Sequence, residues 1–124
     1  MSAEMVSVSD GVLTVRFSGK LKLSELQAMQ KVAGEAIDRN GKVSVLCLAD
    51  DFLGWEKGGD WGDVSFQAQY DPFIEKIAIV GDRKWEDLTL LFTSKGIRRV
   101  PIEYFAPNDL AKARAWLAAA PEKV

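Results

Sequence analysis

Two almost uninterrupted apolar runs, at residues 43–49 and 77–80, constrain the fold of this chain most strongly. A strand with one face in water alternates between apolar and polar residues, whereas a strand covered on both faces is apolar throughout. Parallel sheets contain such doubly covered strands because crossover helices pack on both sides of them. The two runs therefore predict central strands of a mainly parallel sheet.

The N-terminal segments predict a hairpin that leads into this sheet. Residues 4–8 and 12–18 have strand character, and the second of these alternates between apolar and polar side chains. Ser9-Asp10-Gly11 lies between them and is typical of a hairpin turn, with Gly11 able to adopt a positive φ. Residues 100–105 have strand character as well and predict the last strand.

Helical spacing fills the remaining connections. It indicates helices over residues 24–39 and 84–94 and a final helix that starts at Pro107-Asn108. Ser24 and Gln27 form a capping-box pattern at the start of the first helix, and Asn40-Gly41 is typical of its end. The order predicts one α/β domain over residues 1–124, with flanking helices. Its mixed, mainly parallel sheet has about five strands, an N-terminal hairpin followed by βα repeats.

The composition removes most catalytic chemistries. The 124 residues include no histidine and a single cysteine, so no Ser–His or Cys–His pair and no zinc ligand set can form. Cys47 lies within an apolar run and is predicted to be a small core residue. Asp50, Asp51 and Asp82 are more typical of caps and turns than of a metal site. We therefore predict no enzyme, cofactor or metal; an enzyme that uses carboxylates, Lys20 or tyrosine is the last-ranked alternative.

The charge balance bears on partners and location. Sixteen Lys and Arg against 18 Asp and Glu give a net charge of −2, whereas nucleic-acid binding needs a basic surface. We therefore predict no nucleic-acid partner. A single cysteine fits a reducing compartment, and no run approaches the ~20 apolar residues of a spanning helix. These features predict a cytoplasmic protein that associates, at most, with the inner membrane surface.

Residues 50–75 combine large rings with glycines. Half of the 12 aromatic residues lie there, together with Gly54, Gly58, Gly59 and Gly62. Rings supply contact area and glycines supply hinge freedom, which is the composition of a mobile lid over a ligand. The ligand or lid candidates are Phe52, Trp55, Trp61, Phe66, Tyr70 and Phe73. The alternative for Phe66, Tyr70 and Phe73 is one packed helix face, and Trp55 and Trp61 either pack on the domain or face a ligand.

A second segment, residues 83–99, frames an apolar helix with basic residues. Leu90 lies off the stripe that Trp85, Leu88 and Leu91 would bury, so it is the residue that marks a possible second apolar face. Such a composition is typical of an element that lies on a membrane surface. The alternative is a core helix with solvated charges near its ends. The membrane-surface candidates are Leu90, Arg83, Lys84, Lys95, Arg98 and Arg99.

Three spaced segments carry a resemblance to a known family. They are Asp51-Phe52-Leu53-Gly54-Trp55, the run from Ile77 to Trp85, and Tyr104-Phe105 with the helix that contains Ala113 to Leu117. Together they resemble the SpoIIAA-like family of small bacterial proteins, which is related to STAS domains and, by fold, to CRAL-TRIO lipid carriers. The resemblance implies an α/β fold. Where STAS domains of the sporulation type present a phosphorylatable serine, this chain has Asp50-Asp51-Phe52-Leu53-Gly54, so their phosphorylation switch is not carried over.

The sequence thus favours a non-catalytic domain that binds a small apolar or lipid-like ligand under a mobile aromatic segment, with peripheral membrane association. The alternative is a phosphorylation-independent protein–protein regulatory module of STAS type. A homodimer is a further expected assembly under that alternative, because the chain has many large side chains for its length.

Overall fold

The computed structural model describes residues 2–57, 65–92 and 100–119. They form one five-stranded sheet in which the strands lie side by side in chain order. The first pair is antiparallel and the other three pairs are parallel. The strands are β1 (Ala3–Ser9), β2 (Val12–Leu21), β3 (Val43–Trp55), β4 (Ile74–Val80) and β5 (Ile102–Phe105). The helices are α1 (Leu23–Asn40), α2 (Ser65–Tyr70), α3 (Glu86–Phe92) and α4 (Leu110–Ala118). The predicted mixed, mainly parallel α/β sheet is confirmed.

The helices are divided unequally between the two faces of the sheet. α1, α2 and α3 pack on one face, where the larger core includes Leu13, Ile37 and Ile102. α4 covers the other face and forms the smaller core through Ala113 and Leu117. Val45 and Cys47 of β3 pack against the larger core, whereas Leu46 and Leu48 belong to the smaller one. The apolar run in β3 is therefore explained by cover on both faces, as the sequence predicts.

The β1–β2 turn and the two ends of α1 test three local predictions. Asp10 and Gly11 both have positive φ (53° and 75°), as a two-residue hairpin of type I′ requires. α1 ends at Asn40-Gly41 as expected, and the Gly41 amide donates to the Ile37 carbonyl. The predicted capping box is wrong, because Ser24 already lies inside the helix. The N-cap is Lys22, which makes no side-chain capping hydrogen bond.

β3 is six residues longer than the apolar run that predicts it, and its last part pairs with β2 alone. The pairing with β4 ends at Leu48. Beyond it, the register moves from Phe17–Ala49 to Gly19–Phe52 and then to Leu21–Trp55, three residues of β3 for every two of β2. Each step is a bulge, and the extra length includes a residue with positive φ, Asp51 (51°) or Gly54 (101°). The bulges extend a two-stranded ribbon past the carboxyl ends of β4 and β5.

α2 is held against α1 at a glycine. A Cβ atom at Gly34 would lie 2.7 Å from the Tyr70 hydroxyl oxygen and 2.8 Å from its Cζ atom. The Tyr70 ring also lies 4.9 Å from Phe66, and its hydroxyl donates to the Asp38 carboxylate at 3.4 Å. The absence of a side chain at Gly34 therefore leaves the space that the Tyr70 ring of α2 occupies.

Gly34→Ala is expected to lower the free energy of unfolding by about 1–3 kcal/mol, because the added methyl overpacks the Tyr70 contact. This loss exceeds the ~1 kcal/mol that alanine gains over glycine inside a helix. In a Tyr70→Ala background the same change should stabilise the protein instead. Urea unfolding of the wild type, the two single variants and the double variant measures the change in the free energy of unfolding in both backgrounds. A stabilising Gly34→Ala in the wild-type background would contradict the seating of Tyr70 described here.

A buried lysine fastens the carboxyl end of α4. Lys76, on β4, is 8% exposed, and its ammonium donates to the carbonyls of Trp116 at 2.7 Å and Ala119 at 3.0 Å. The ammonium also lies 5.0 Å from the centre of the Trp116 ring. Carbonyls at a helix end lack partners within the helix, and a cation there complements the helix dipole. The free carbonyls at the end of α4 thus compensate the buried positive charge of Lys76.

Candidate functional site

A third apolar cluster lies at the edge where the parallel strands end, and it shares Met29 with the larger core. We call it the carboxyl-edge cluster. Its buried members are Ala3, Leu21 and Phe52. They come from the start of β1, the end of β2 and the ribbon part of β3. The half-buried members that surround them are Phe17, Leu26, Met29, Ala49, Trp55 and Trp85.

Three rings form the centre of the cluster. The Phe52 ring lies 5.1 Å from that of Trp55 and 5.4 Å from that of Trp85, with interplanar angles of 85° and 76°. The two indole rings lie 6.2 Å apart at 81°. All three pairs are therefore edge-to-face, the arrangement that the ring quadrupoles favour. A Cβ atom at Gly54 would lie 3.1 Å from Cη2 of Trp85, so the missing side chain lets Trp85 approach the ribbon closely.

The turn after β4 positions Trp85 in this cluster. Its first residue, Asp82, accepts the Lys84 amide through its carboxylate at 3.0 Å and the Trp85 amide through its carbonyl at 3.0 Å. Tyr104, on β5, donates its hydroxyl to the same Asp82 carbonyl at 2.8 Å. A Cβ atom at Gly81 would lie 2.7 Å from this hydroxyl, so glycine is needed where the tyrosine crosses the chain. Trp85 is therefore held by a hydrogen-bonded turn that is tied to the neighbouring strand.

The phenol of Tyr104 should make stability pH-dependent in alkali. Burial raises the pKa of Tyr104 to about 12, and the negative charges of Asp82 and Glu86 act in the same direction. The unfolded chain ionises a tyrosine near pH ~10. The stabilising contribution is therefore complete below about pH 10 and is lost as the pH rises towards about 12.

Unfolding measured in urea at several pH values checks this expectation. Tyr104→Phe should be less stable than the wild type at neutral pH, because it lacks the hydrogen bond to Asp82, and should lose less stability between pH 10 and 12. Tyr70→Phe is the comparison, because the pKa of Tyr70 is raised too and its ring lies on α2, so this variant measures the alkaline loss that does not belong to the turn at Asp82. Equal alkaline losses in the Tyr104 variant and the wild type would contradict the assignment.

The indole nitrogen of Trp85 lacks a hydrogen-bond acceptor. The Nε1 atom is fully buried, and among the described residues no group accepts its hydrogen. A buried donor without a partner costs about 1–3 kcal/mol, and such groups are rare in folded proteins. The centre of the cluster therefore contains an unused polar group among carbon atoms.

The rim of the cluster beside Trp85 is basic. The Lys84 ammonium lies 5.8 Å from the centre of the Trp85 ring, a cation–π contact. Arg83 is paired with the Glu86 carboxylate at 2.6 Å, and this pairing raises the pKa of the guanidinium. Both basic side chains are exposed. The apolar cluster matches the hydrocarbon part of an amphiphile, and the cations at its edge match a polar or anionic head group.

The structure divides the aromatic residues that the sequence assigned to one lid. Phe52 and Trp55 meet in the carboxyl-edge cluster, and they lie on strand β3 and not in the loop that the sequence indicates. Phe66 and Tyr70 lie on α2 and pack against the larger core, as the alternative interpretation expects. Phe73 is 45% exposed in the 3-10 turn before β4, at the opposite edge of the sheet, and does not share their face. Trp61 lies outside the described residues.

Sequence reasoning missed Trp85 as a member of the site. The helical stripe assigned it to a helix over residues 84–94, whereas α3 starts at Glu86 and Trp85 ends a 3-10 turn. Gly81-Asp82 directly after a buried strand is the signal that could have placed a turn there, since Asp is a preferred N-cap.

The apolar face of α3 is also the reverse of the one expected. Leu90 is half-buried and packs against the larger core, so it is not the surface residue of this helix. Leu88 and Leu91, expected to be buried, are 52% and 76% exposed. The predicted stripe fails because the helix starts two residues later than the pattern assumes, after a separate turn. Lys95, Arg98 and Arg99 lie outside the described residues.

Two features are absent from the described part of the chain. No three His, Cys, Asp or Glu side chains come together there in an arrangement that could hold a metal ion. None of the helices in these ranges is long and apolar enough to cross a bilayer.

Comparison with known proteins supports the fold. A family model described as SpoIIAA-like matches residues 12–118. In a solved structure, an uncharacterised protein with a SpoIIAA-like fold from Shewanella loihica PV-4 superposes with a TM-score of 0.71 at 16% identity. The match covers 94% of this chain and 92% of the other. No curated protein matches.

Proposed function

Because this chain belongs to the SpoIIAA-like family, we propose that it is a non-catalytic binding domain that holds a small apolar or lipid-like ligand at the carboxyl-edge cluster. The observation that carries this proposal is the edge-to-face group of Phe52, Trp55 and Trp85. These three rings form a cluster at the end of the strands that, among the described residues, shares only Met29 with the larger core. The two tryptophans remain half-buried.

The position of the cluster supports the same proposal. Open α/β sheets bind ligands outside the carboxyl ends of their strands, where loops of adjacent strands meet. Apolar and aromatic walls with a few polar groups are typical of small-molecule sites. Here the β2–β3 ribbon supplies two of the rings, and the turn after β4 supplies the third together with Lys84 and the free Nε1 donor.

Peripheral membrane association is the second part of the proposal, and α3 supports it. Leu88 and Leu91 are spaced three residues apart on this helix, so they share a face, and both are exposed. Arg83 and Lys84 precede the same helix. Exposed leucines beside cations suit the boundary between acyl chains and anionic headgroups. A bound lipid could then pass between the membrane and the nearby cluster.

Native mass spectrometry after incubation with a bacterial lipid extract tests the ligand. We expect a lipid-sized mass increase on the intact protein, and Trp55→Ala should weaken the retention roughly tenfold, which corresponds to about 1.4 kcal/mol. Trp116→Ala is the matched control, because that ring packs near Phe105 on the opposite face of the sheet. Circular dichroism verifies that both variants are folded. An unliganded wild-type protein under these conditions would count against the proposal.

Vesicle flotation tests the membrane part. Vesicles with anionic phosphatidylglycerol should carry the protein upward, and Leu88→Ser with Leu91→Ser should abolish this. Val32→Ser is the control, because Val32 is also an exposed apolar helix residue (47%) but belongs to α1 and not to α3. Equal flotation of the wild type and the leucine variant would contradict the role of α3.

The alternative function is a protein–protein regulatory module of STAS type that works without phosphorylation, and the same exposed leucines favour it. Size-exclusion chromatography with cross-linking distinguishes the two. A stable homodimer that Leu88→Ser with Leu91→Ser converts to a monomer, together with no flotation, would support the regulatory module.

A further inference from the structure

We propose that the ligand of the carboxyl-edge cluster carries an oxygen acceptor within its apolar body, and that this oxygen accepts the hydrogen of Trp85 Nε1. The inference rests on the proposed function and specifies which ligands the site selects. A pure hydrocarbon would leave this donor unused, whereas an ester, ketone or ether would satisfy it.

The first step of the argument is the chemistry around the donor. Trp85 Nε1 is fully buried, and no described group accepts its hydrogen. The rings that contact Trp85 in the cluster, Phe52 at 5.4 Å and Trp55 at 6.2 Å, offer no hydrogen-bond acceptor, and Gly54 has no side chain. Buried indole N–H groups normally find a partner. With no acceptor among residues 2–57, 65–92 and 100–119, the proposed acceptor belongs to a bound molecule.

The second step is that Trp85 cannot easily turn its donor elsewhere. The Trp85 amide is bound to the Asp82 carbonyl, which Tyr104 also binds from β5. Gly54 lies against the far edge of the indole, where a Cβ atom would be 3.1 Å from Cη2. The ring is thus fixed at both its backbone and its outer edge, and the direction of the donor is fixed with it.

The third step is the charge beside the ring. The Lys84 ammonium, 5.8 Å from the ring centre, attracts electron-rich groups at the same end of the cluster. Side-chain acceptors that could bind Trp85 instead, such as the Glu86 carboxylate, are engaged with Arg83. The polar end of the ligand is therefore expected at Trp85 and its apolar end towards Leu21 and Phe52.

Three probes of equal length test this inference on the intact protein: n-heptane, dipropyl ether and 4-heptanone. Binding is followed by the four indole N–H signals in proton–nitrogen NMR spectra, with the Trp85 signal assigned by its loss in Trp85→Phe. The oxygen probes should shift the Trp85 proton downfield, and heptane should not.

The variant Trp85→Phe keeps a ring and removes the donor. We expect it to weaken 4-heptanone binding roughly 2- to 12-fold more than heptane binding, the factor that corresponds to about 0.5–1.5 kcal/mol for one hydrogen bond. Trp116→Phe, the same change on the opposite face, should alter both affinities equally.

The outcomes separate this inference from the proposed function. If all three probes bind but Trp85→Phe weakens them equally, the site binds apolar ligands and the oxygen acceptor is wrong. If no probe binds the wild-type protein, the ligand site itself is overturned and this inference with it. A downfield shift of the Trp85 proton, together with a larger loss of affinity for the oxygen probes than for heptane in Trp85→Phe, supports both the ligand site and the oxygen acceptor.

Discussion

Replacing Phe52 with alanine is expected to lower the free energy of unfolding by about 3–5 kcal/mol, one of the largest effects of any single substitution in this chain. The ring is 8% exposed and lies at about 5 Å from the rings of both Trp55 and Trp85. Its removal leaves a void in the carboxyl-edge cluster and deprives two indoles of their edge-to-face partner. Phe52 is the only buried member that the ribbon part of β3 contributes to this cluster, among the described residues.

Urea unfolding checks this value, and Phe73→Ala is the matched control. Phe73 is 45% exposed in a turn at the other end of the sheet, so its loss should cost less than about 1 kcal/mol. The difference distinguishes a strand residue from a lid residue. A Phe52→Ala protein as stable as Phe73→Ala would show that the segment does not need its ring, as a mobile lid would not.

Replacing Leu46 with alanine is expected to cost about 2–5 kcal/mol, because Leu46 is 1% exposed at the centre of the smaller core. It packs with Ala78 and Val80 under Ala113 and Leu117 of α4. α4 is the one described helix on its face, so a cavity there cannot be filled by a neighbouring helix. The loss should therefore fall in the upper part of this range.

Leu53→Ala provides the matched control for this second change. Leu53 belongs to the same strand but is 59% exposed, so the same truncation should change stability by no more than about 0.5 kcal/mol. Urea unfolding followed by circular dichroism measures both costs. Equal costs for the two leucines would mean that α4 contributes little to stability.

The fold could be predicted from the sequence because its strongest signals are local and periodic. Val43 to Ala49 is apolar at every position but one, and only a strand with helices on both faces uses such a run. The Asp10-Gly11 turn can also be predicted from the sequence, since few pairs of residues adopt positive φ at two successive positions. These features need no knowledge of distant parts of the chain.

The candidate site was predicted only in part, because its geometry depends on long-range packing. Asp51 with a positive φ looks like a loop residue, yet here it forms a bulge that β2 stabilises from the other strand. The strand signal consequently stopped at Ala49, and Phe52 and Trp55 were assigned to a lid. Trp85 joins them across 30 or more positions of sequence, a contact that no periodicity indicates.

The assignment of α3 failed for a related reason. A helical stripe predicts which side chains share a face, but not which of two possible faces meets the sheet. Leu90 packs inward and Leu88 outward because the turn at residues 83–85 sets the rotation of the helix that follows. That turn is itself set by Tyr104 of β5.

The contact of Lys76 with the end of α4 bears on the order of folding. An isolated helix of nine residues is only marginally stable in water. Its final carbonyls find their cation on a strand 40 positions earlier in the chain. The last turn of the helix should therefore gain its stability only once β4 has joined the sheet, so that both melt together as one cooperative unit.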